Sequence, residues 1–148
     1  MADRETSPAP LSERRNIARR RVLIVEDNAL DMALFGALLR TADFEVLEAT
    51  NASQGLDLAR HHCPDLIIMD VRLPDMSGFE ATRILKSEHT TRNIPVVLTS
   101  AYGPFIEGKN VEACGCDGYM PTPIETTKFI ELIHSFITTG ARNISAGN

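Results

Sequence analysis

Three carboxylates carry the chemistry this chain can offer: Glu26 and Asp27, side by side, and Asp70, with each group set behind a run of four apolar residues. Val22-Leu23-Ile24-Val25 precedes the pair, and Leu66-Ile67-Ile68-Met69 precedes Asp70, which leads into Val71-Arg72-Leu73-Pro74. A short apolar run closed by a turn signal reads as a strand buried on both faces. If the two runs are neighbours in one parallel sheet, their carboxyl ends gather the three acids around the crevice where open α/β sheets bind ligands. Clustered carboxylates repel one another unless a cation sits among them. Hard oxygen ligands with room for water favour Mg²⁺ over zinc or copper. Each residue also has a plainer reading, since Asp70 could open a turn and Asp27 or Asn28 could cap the following helix.

The elements that would position these groups alternate along the chain. After Asn28, residues Leu30, Ala33, Leu34, Ala37 and Leu38 fall at i, i+3, i+4, i+7 and i+8, an apolar stripe that predicts an amphipathic helix buried on that face. A strand near Glu45 to Ala49 and a helix near Ala52 to Cys63, carrying Leu56 and Ala59, lead to the strand ending at Asp70. A third helix begins at Gly78, and Ile94-Pro95-Val96-Val97-Leu98 is a fourth strand terminated by the hydroxyls Thr99 and Ser100. The stretch from Pro104 to Cys114, flanked or broken by Gly103 and Gly108, predicts a short helix of low stability. A brief strand at Gly118-Tyr119-Met120 runs into Pro121-Thr122-Pro123, and Phe129, Leu132, Ile133, Phe136 and Ile137 give a last helix its apolar face. Five strands alternating with five helices predict a doubly wound α/β domain, its parallel sheet in the flavodoxin-like order 2-1-3-4-5. That order makes the first and third strands neighbours.

Length and charge set the boundaries. With 148 residues, 43% apolar and 24% charged, the sequence has the makings of one ordinary domain. No window approaches the roughly 18 apolar residues of a membrane span, and no signal peptide is seen, so a cytoplasmic location is expected. Residues 1–20 carry five arginines against three acids, which leaves the rest at −7 out of a total of −5. The acidic body argues against nonspecific nucleic-acid binding, and residues 1–20, with Pro8 and Pro10, read as a disordered basic arm. Residues 21–140 form the domain and residues 141–148 a frayed tail. The odd set Cys63, Cys114 and Cys116 lacks the partners of a zinc site and reads as reduced thiols. Adjacent His61 and His62 cannot both face one ion from a helix.

The motifs resemble those of the response-regulator receiver domains of bacterial two-component signalling, over about residues 21 to 138. The match lies in Val22-Leu23-Ile24-Val25-Glu26-Asp27-Asn28, in Asp70 with Leu73-Pro74-Asp75-Met76-Ser77-Gly78, in Pro95 through Ser100-Ala101, and in Gly118-Tyr119 ahead of a proline. The first of these, through Leu34-Phe35, is most similar to DivK-type single-domain receivers. The resemblance implies the (βα)5 receiver fold, Asp70 as phosphoacceptor, and Mg²⁺ bound by Asp27, Asp70 and the backbone carbonyl of Arg72, with Glu26 holding a metal-bound water. It implies Ser100 as the switch hydroxyl, with Thr99 the competing assignment one residue away, and Tyr119 as the switch aromatic. Strand alternation sends Thr99 and Ser100 to opposite sides. The phosphodonor would be a histidine kinase or a histidine phosphotransfer protein approaching beside the first helix. The readout would be docking of a target protein on the face formed by the helix near 104–114, the Tyr119 strand and the last helix.

One position departs from the pattern: Thr122 stands where receivers carry a lysine, before a proline whose peptide bond the resemblance implies to be cis. A charge-assisted hydrogen bond of that class contributes roughly 1.5–3 kcal/mol. Moving a two-state equilibrium from 1% to 99% active takes about 5.5 kcal/mol, so losing the contact removes a large part of the drive. Phosphorylation at Asp70 with a weakened switch is the expectation, and Arg72 has the length to supply a compensating cation. The chain shows no DNA-binding helix pair and no second catalytic module, so no enzymatic role beyond self-catalysed phosphotransfer and dephosphorylation is expected. A phosphorylation-independent adaptor is the main alternative. An Asp-nucleophile phosphohydrolase fits less well, because Arg72 stands where such enzymes resemble one another in a second acid.

Overall fold

The computed structural model describes residues 20–100, 113–123 and 125–139. Its strands are β1 (Arg21–Val25), β2 (Glu45–Ala49), β3 (Leu66–Asp70), β4 (Val96–Ser100) and β5 (Gly118–Pro121). Its helices are α1 (Ala29–Thr41), α2 (Ala52–His62), α3 (Gly78–Ser87) and α4 (Thr126–Thr139). The strands pair in parallel in the order β2-β1-β3-β4-β5, as the alternation predicts. Of the expected fourth helix, Pro104 to Cys114, residues 104–112 lie outside the described residues, as do residues 1–19 of the basic arm and the tail 141–148.

Two apolar layers cover the sheet. One face of β1, β3 and β4, with Leu23, Val25, Ile67, Met69, Val96 and Leu98, packs against Ala52, Leu56 and Ala59 of α2 and Ala81 and Leu85 of α3. The other face, with Val22, Ile24, Leu66, Ile68 and Val97, packs against α1 and α4. Because β1 and β3 are buried on both sides, every residue of their runs is apolar and the first polar residue marks the strand's end. β4 begins at Val96 rather than Ile94. Pro95 has no N–H for a ladder, although its carbonyl accepts from Ile67 N at 2.9 Å.

The face of α1 differs from the predicted stripe. Met32, Phe35, Gly36 and Leu39 are buried, whereas Leu30 is 80% and Leu34 42% exposed. The helix is apolar nearly all round, so two stripes two residues apart compete. The winner is the one carrying Phe35, whose ring stacks on Phe129 of α4 with centroids 5.1 Å apart and planes 7° from parallel. Asn28 sets the start of the helix, its side-chain oxygen accepting from Asp31 N at 2.9 Å.

Candidate functional site

The carboxyl ends of β1 and β3 are adjacent, with Val25 in register with Met69, so the residues that follow them share one edge of the sheet. Glu26, Asp27 and Asp70 each bring a carboxylate oxygen within 4.8 Å of the others. A cleft of about 310 Å³ opens over them, lined by Glu26, Asp27, Asn28, Asp31, Asp70, Arg72, Thr99 and Thr122. Asn28 takes the capping role, which leaves the Asp27 carboxylate to the cleft. Its backbone N–H donates to Glu26 Oε2 at 3.1 Å, so one residue both starts α1 and orients the buried acid.

Burial raises the pKa of the acids here. The Glu26 carboxyl is pushed up to about 8, first by burial and then by the charge of Asp70, against the pull of the Asn28 amide. Asp70 is also raised, by burial above all, while the Arg72 N–H and the Glu26 carboxyl, which donates to Asp70, hold it down. Two acids in this contact share one proton when no cation is near. The same all-oxygen set fits a hard divalent ion: two ligands of one Mg²⁺ lie at most about 4.2 Å apart, at about 2.1 Å from the ion each. The oxygens here all lie within 4.8 Å of one another, and an ion among them would take the place of the proton.

The loop after β3 is tied down at several points. Arg72 N donates to Asp70 Oδ1 at 3.1 Å, and Gly78 N to Val71 O at 2.8 Å, while Arg72 and Ser77 form an isolated antiparallel bridge. Gly78 is required by space, since a Cβ there would run into the backbone carbonyl of Asp70. Ser77 caps α3 through Glu80 N at 3.1 Å. Asp75 reaches across to α2 and accepts from Ala52 N at 2.8 Å and Ser53 N at 2.9 Å, which holds its carboxyl below the usual range. The motif around Asp75 was legible in the sequence, but this bond to a helix 22 and 23 residues away was not.

On the far side of the cleft the groups are neutral. Asp70 is in register with Thr99, which lines the cleft, while Ser100 is 3% exposed. Alternation puts Ser100 on the face of Leu98 and Tyr119, which pair across β4 and β5 and belong to the layer under α2 and α3. Thr99 therefore shares a face with the acceptor, and Ser100 shares one with the aromatic. Thr122 lines the cleft with its N–H bonded to Ser100 O at 2.9 Å, and the Thr122–Pro123 bond is cis. Among the described residues, Arg72 is the one cationic residue that lines the cleft. His61 and His62 are exposed at the end of α2, and among the described residues neither joins a metal-ligating group.

Residues 22–134 match the family of the response regulator receiver domain. Over 116 residues the chain is 41% identical to the polar-differentiation response regulator DivK of Brucella anthropi, a match spanning 78% of this chain and 94% of that protein. DivK of Brucella ovis is 40% identical over the same lengths. Among solved structures, the receiver domain of a sensor histidine kinase from Pseudomonas aeruginosa, described with a magnesium ion coordinated in its active site cleft, superposes with a TM-score of 0.76 at 26% identity. It covers 82% of this chain and 99% of its own. A CheY-like receiver domain protein from Methanospirillum hungatei shares the fold at a TM-score of 0.75 and 22% identity, covering 83% of this chain and 97% of its own.

Proposed function

The chain belongs to the response-regulator receiver family, whose role is phosphorylation-dependent signalling, and from that premise we propose that Asp70 is its phosphoacceptor. Asp27, Asp70 and the backbone carbonyl of Arg72 would hold Mg²⁺, with Glu26 reaching it through water. The observation that carries this reading is the meeting of three acid oxygens within 4.8 Å at the ends of two adjacent buried strands. When bound, the ion offsets the negative charge that a phosphoryl group brings to the carboxylates.

The protein's remaining task is positioning. Arg72 N–H fixes Asp70 Oδ1 and so orients the carboxylate plane. An Asp70 oxygen then forms the O–P bond as the P–N bond of a phosphohistidine breaks and the imidazole leaves with the electron pair. The donor would be a histidine kinase or a histidine phosphotransfer protein. Exposed Leu30 and Leu34 of α1, next to Asp31 at the cleft, support an approach along that helix. Ser100 is the switch hydroxyl in this reading and Tyr119 the switch aromatic, on their shared face of the sheet. Thr122 replaces the lysine of the family pattern, and Arg72 supplies a partial substitute. A target protein would be recognised through the Tyr119 side of the domain.

The test is treatment with a small-molecule phosphodonor and Mg²⁺, with Tyr119 and the backbone followed by NMR. Wild type should take one phosphoryl group and Asp70→Asn none, while Thr122→Lys should enlarge the response at Tyr119. A neutral residue at Thr122 favours one second reading, an adaptor that binds partners without phosphorylation. That reading replaces ours if folded wild type neither binds Mg²⁺ nor accepts phosphate.

A further inference from the structure

We propose that Cys114 and Cys116 form a redox-modification site, a dithiol that a hydroperoxide converts into a disulfide within the turn that leads into β5. The two thiols flank Gly115, whose φ of +85° lies in the left-handed region that glycine adopts at no steric cost. The turn brings the side chains into hydrogen-bond contact with each other. Residues two apart in such a turn are within the Cα separation that a disulfide spans, about 4.4–6.8 Å. Cys114 is 2% exposed and packs with Ala81, Leu85 and Leu98, whereas Cys116 is half-buried and offers the route in.

The base of the turn is anchored, so the thiols are held in place. Asp117 N donates to Val96 O at 2.8 Å, and Asp117 Oδ2 accepts from Val96 N at 2.9 Å and from Lys86 Nζ at 2.8 Å. The hydrogen bond from Cys116 brings the Cys114 thiol down to about 7, with help from the Arg83 charge, while Cys116 is pushed up. The lowered pKa raises the thiolate fraction of Cys114, but a thiolate of lower pKa is also a weaker nucleophile, so the two effects largely offset. Contact between the sulfurs, rather than acidity, is what distinguishes the pair.

In the reaction the Cys114 thiolate attacks one peroxide oxygen and the O–O bond breaks. The leaving hydroxide takes a proton and departs as water, or as the alcohol from an organic hydroperoxide. Cys116 then attacks the sulfenic sulfur, the S–O bond breaks with loss of a second water, and the S–S bond forms. Two thiols are oxidised and one peroxide reduced, and a dithiol reductant reverses the change. The disulfide lies three residues from Tyr119.

The test uses the full chain carrying Cys63→Ser, treated with hydrogen peroxide and analysed by intact mass and peptide mapping. The expected result is a loss of about 2 Da, a peptide cross-linked between Cys114 and Cys116, and recovery with dithiothreitol. Adding Cys116→Ser, or Cys114→Ala as a variant that spares the turn, should replace that loss with a gain of about 16 or 32 Da. If both thiols still alkylate after free cysteine in the same sample is consumed, or if they join only between molecules, the proposal fails.

Discussion

The two halves of the cleft are built from opposite materials. On the side of β1 and β3, three carboxylates stand around one point, and two of them, Glu26 and Asp70, are oriented by the amides of Asn28 and Arg72. On the side of β4 and β5 the groups are the hydroxyls of Thr99, Ser100 and Thr122, with an aromatic one strand away. The first half is a charge problem that a cation solves, and the second is a set of neutral contacts whose energies are individually small. On the proposed function, capturing a phosphoryl group and reading it out would therefore be separable, and a change in one half need not disable the other.

The largest expected effect tests the charged half. Asp27→Asn removes a negative ligand from the cluster, and titration of Mg²⁺ should show a loss of affinity of about 100-fold or more, since even supporting groups around metal sites are worth about 10–100-fold. Retained affinity would show that the ion, if bound, does not use this carboxylate.

Next comes a pH test of the same half. Glu26, raised from an ordinary 4.5 to about 8, keeps a proton in the folded protein that the unfolded chain has already released across that window. Metal-free stability should therefore fall as pH rises from about 4.5 to about 8. Mg²⁺ should flatten that slope by taking the proton's place, and thermal unfolding with and without the ion checks both parts. An unchanged slope in Glu26→Gln would assign the effect elsewhere.

The neutral half gives smaller changes and sharpens the assignment of the hydroxyls. If Ser100 carries the switch, Ser100→Ala should leave the rate of phosphorylation within about twofold and weaken the Tyr119 response by about 5- to 10-fold, a loss in the range of one hydrogen bond. Thr99→Ala, on the acceptor's face, should do the reverse. NMR of the phosphorylated variants separates the two outcomes. The smallest effect is that of Arg72→Ala, a few-fold change in phosphorylation rate or product lifetime, because an exposed cation contributes little. Phosphate-loss kinetics equal to wild type would remove Arg72 from the site.

Much of this is legible in the sequence, for a physical reason. Strands buried on both faces must be apolar throughout, so Val22–Val25 and Leu66–Met69 announce themselves, and the acids that end them are conspicuous. The right-handed connection of parallel strands then leaves few topologies to choose from. The buried face of α1 could not be read in that way. Its apolar residues surround the helix, so periodicity offers two stripes, and only the stacking of Phe35 on Phe129, 94 positions later, selects between them.

Thr99 and Ser100 show the same limit at the site itself. Adjacent hydroxyls at a strand's end are visible in the sequence, but which of them faces Asp70 depends on the register of β4 against β3. The clamp from Asp75 to α2 and the need for glycine at position 78 are likewise contacts between segments. By itself the amino-acid sequence determined the alternating elements, the parallel sheet and the three acids at its edge, because burial and local turn chemistry act residue by residue. Tertiary structure decided which faces, hydroxyls and amides meet, because those choices depend on register and packing between segments far apart in the chain.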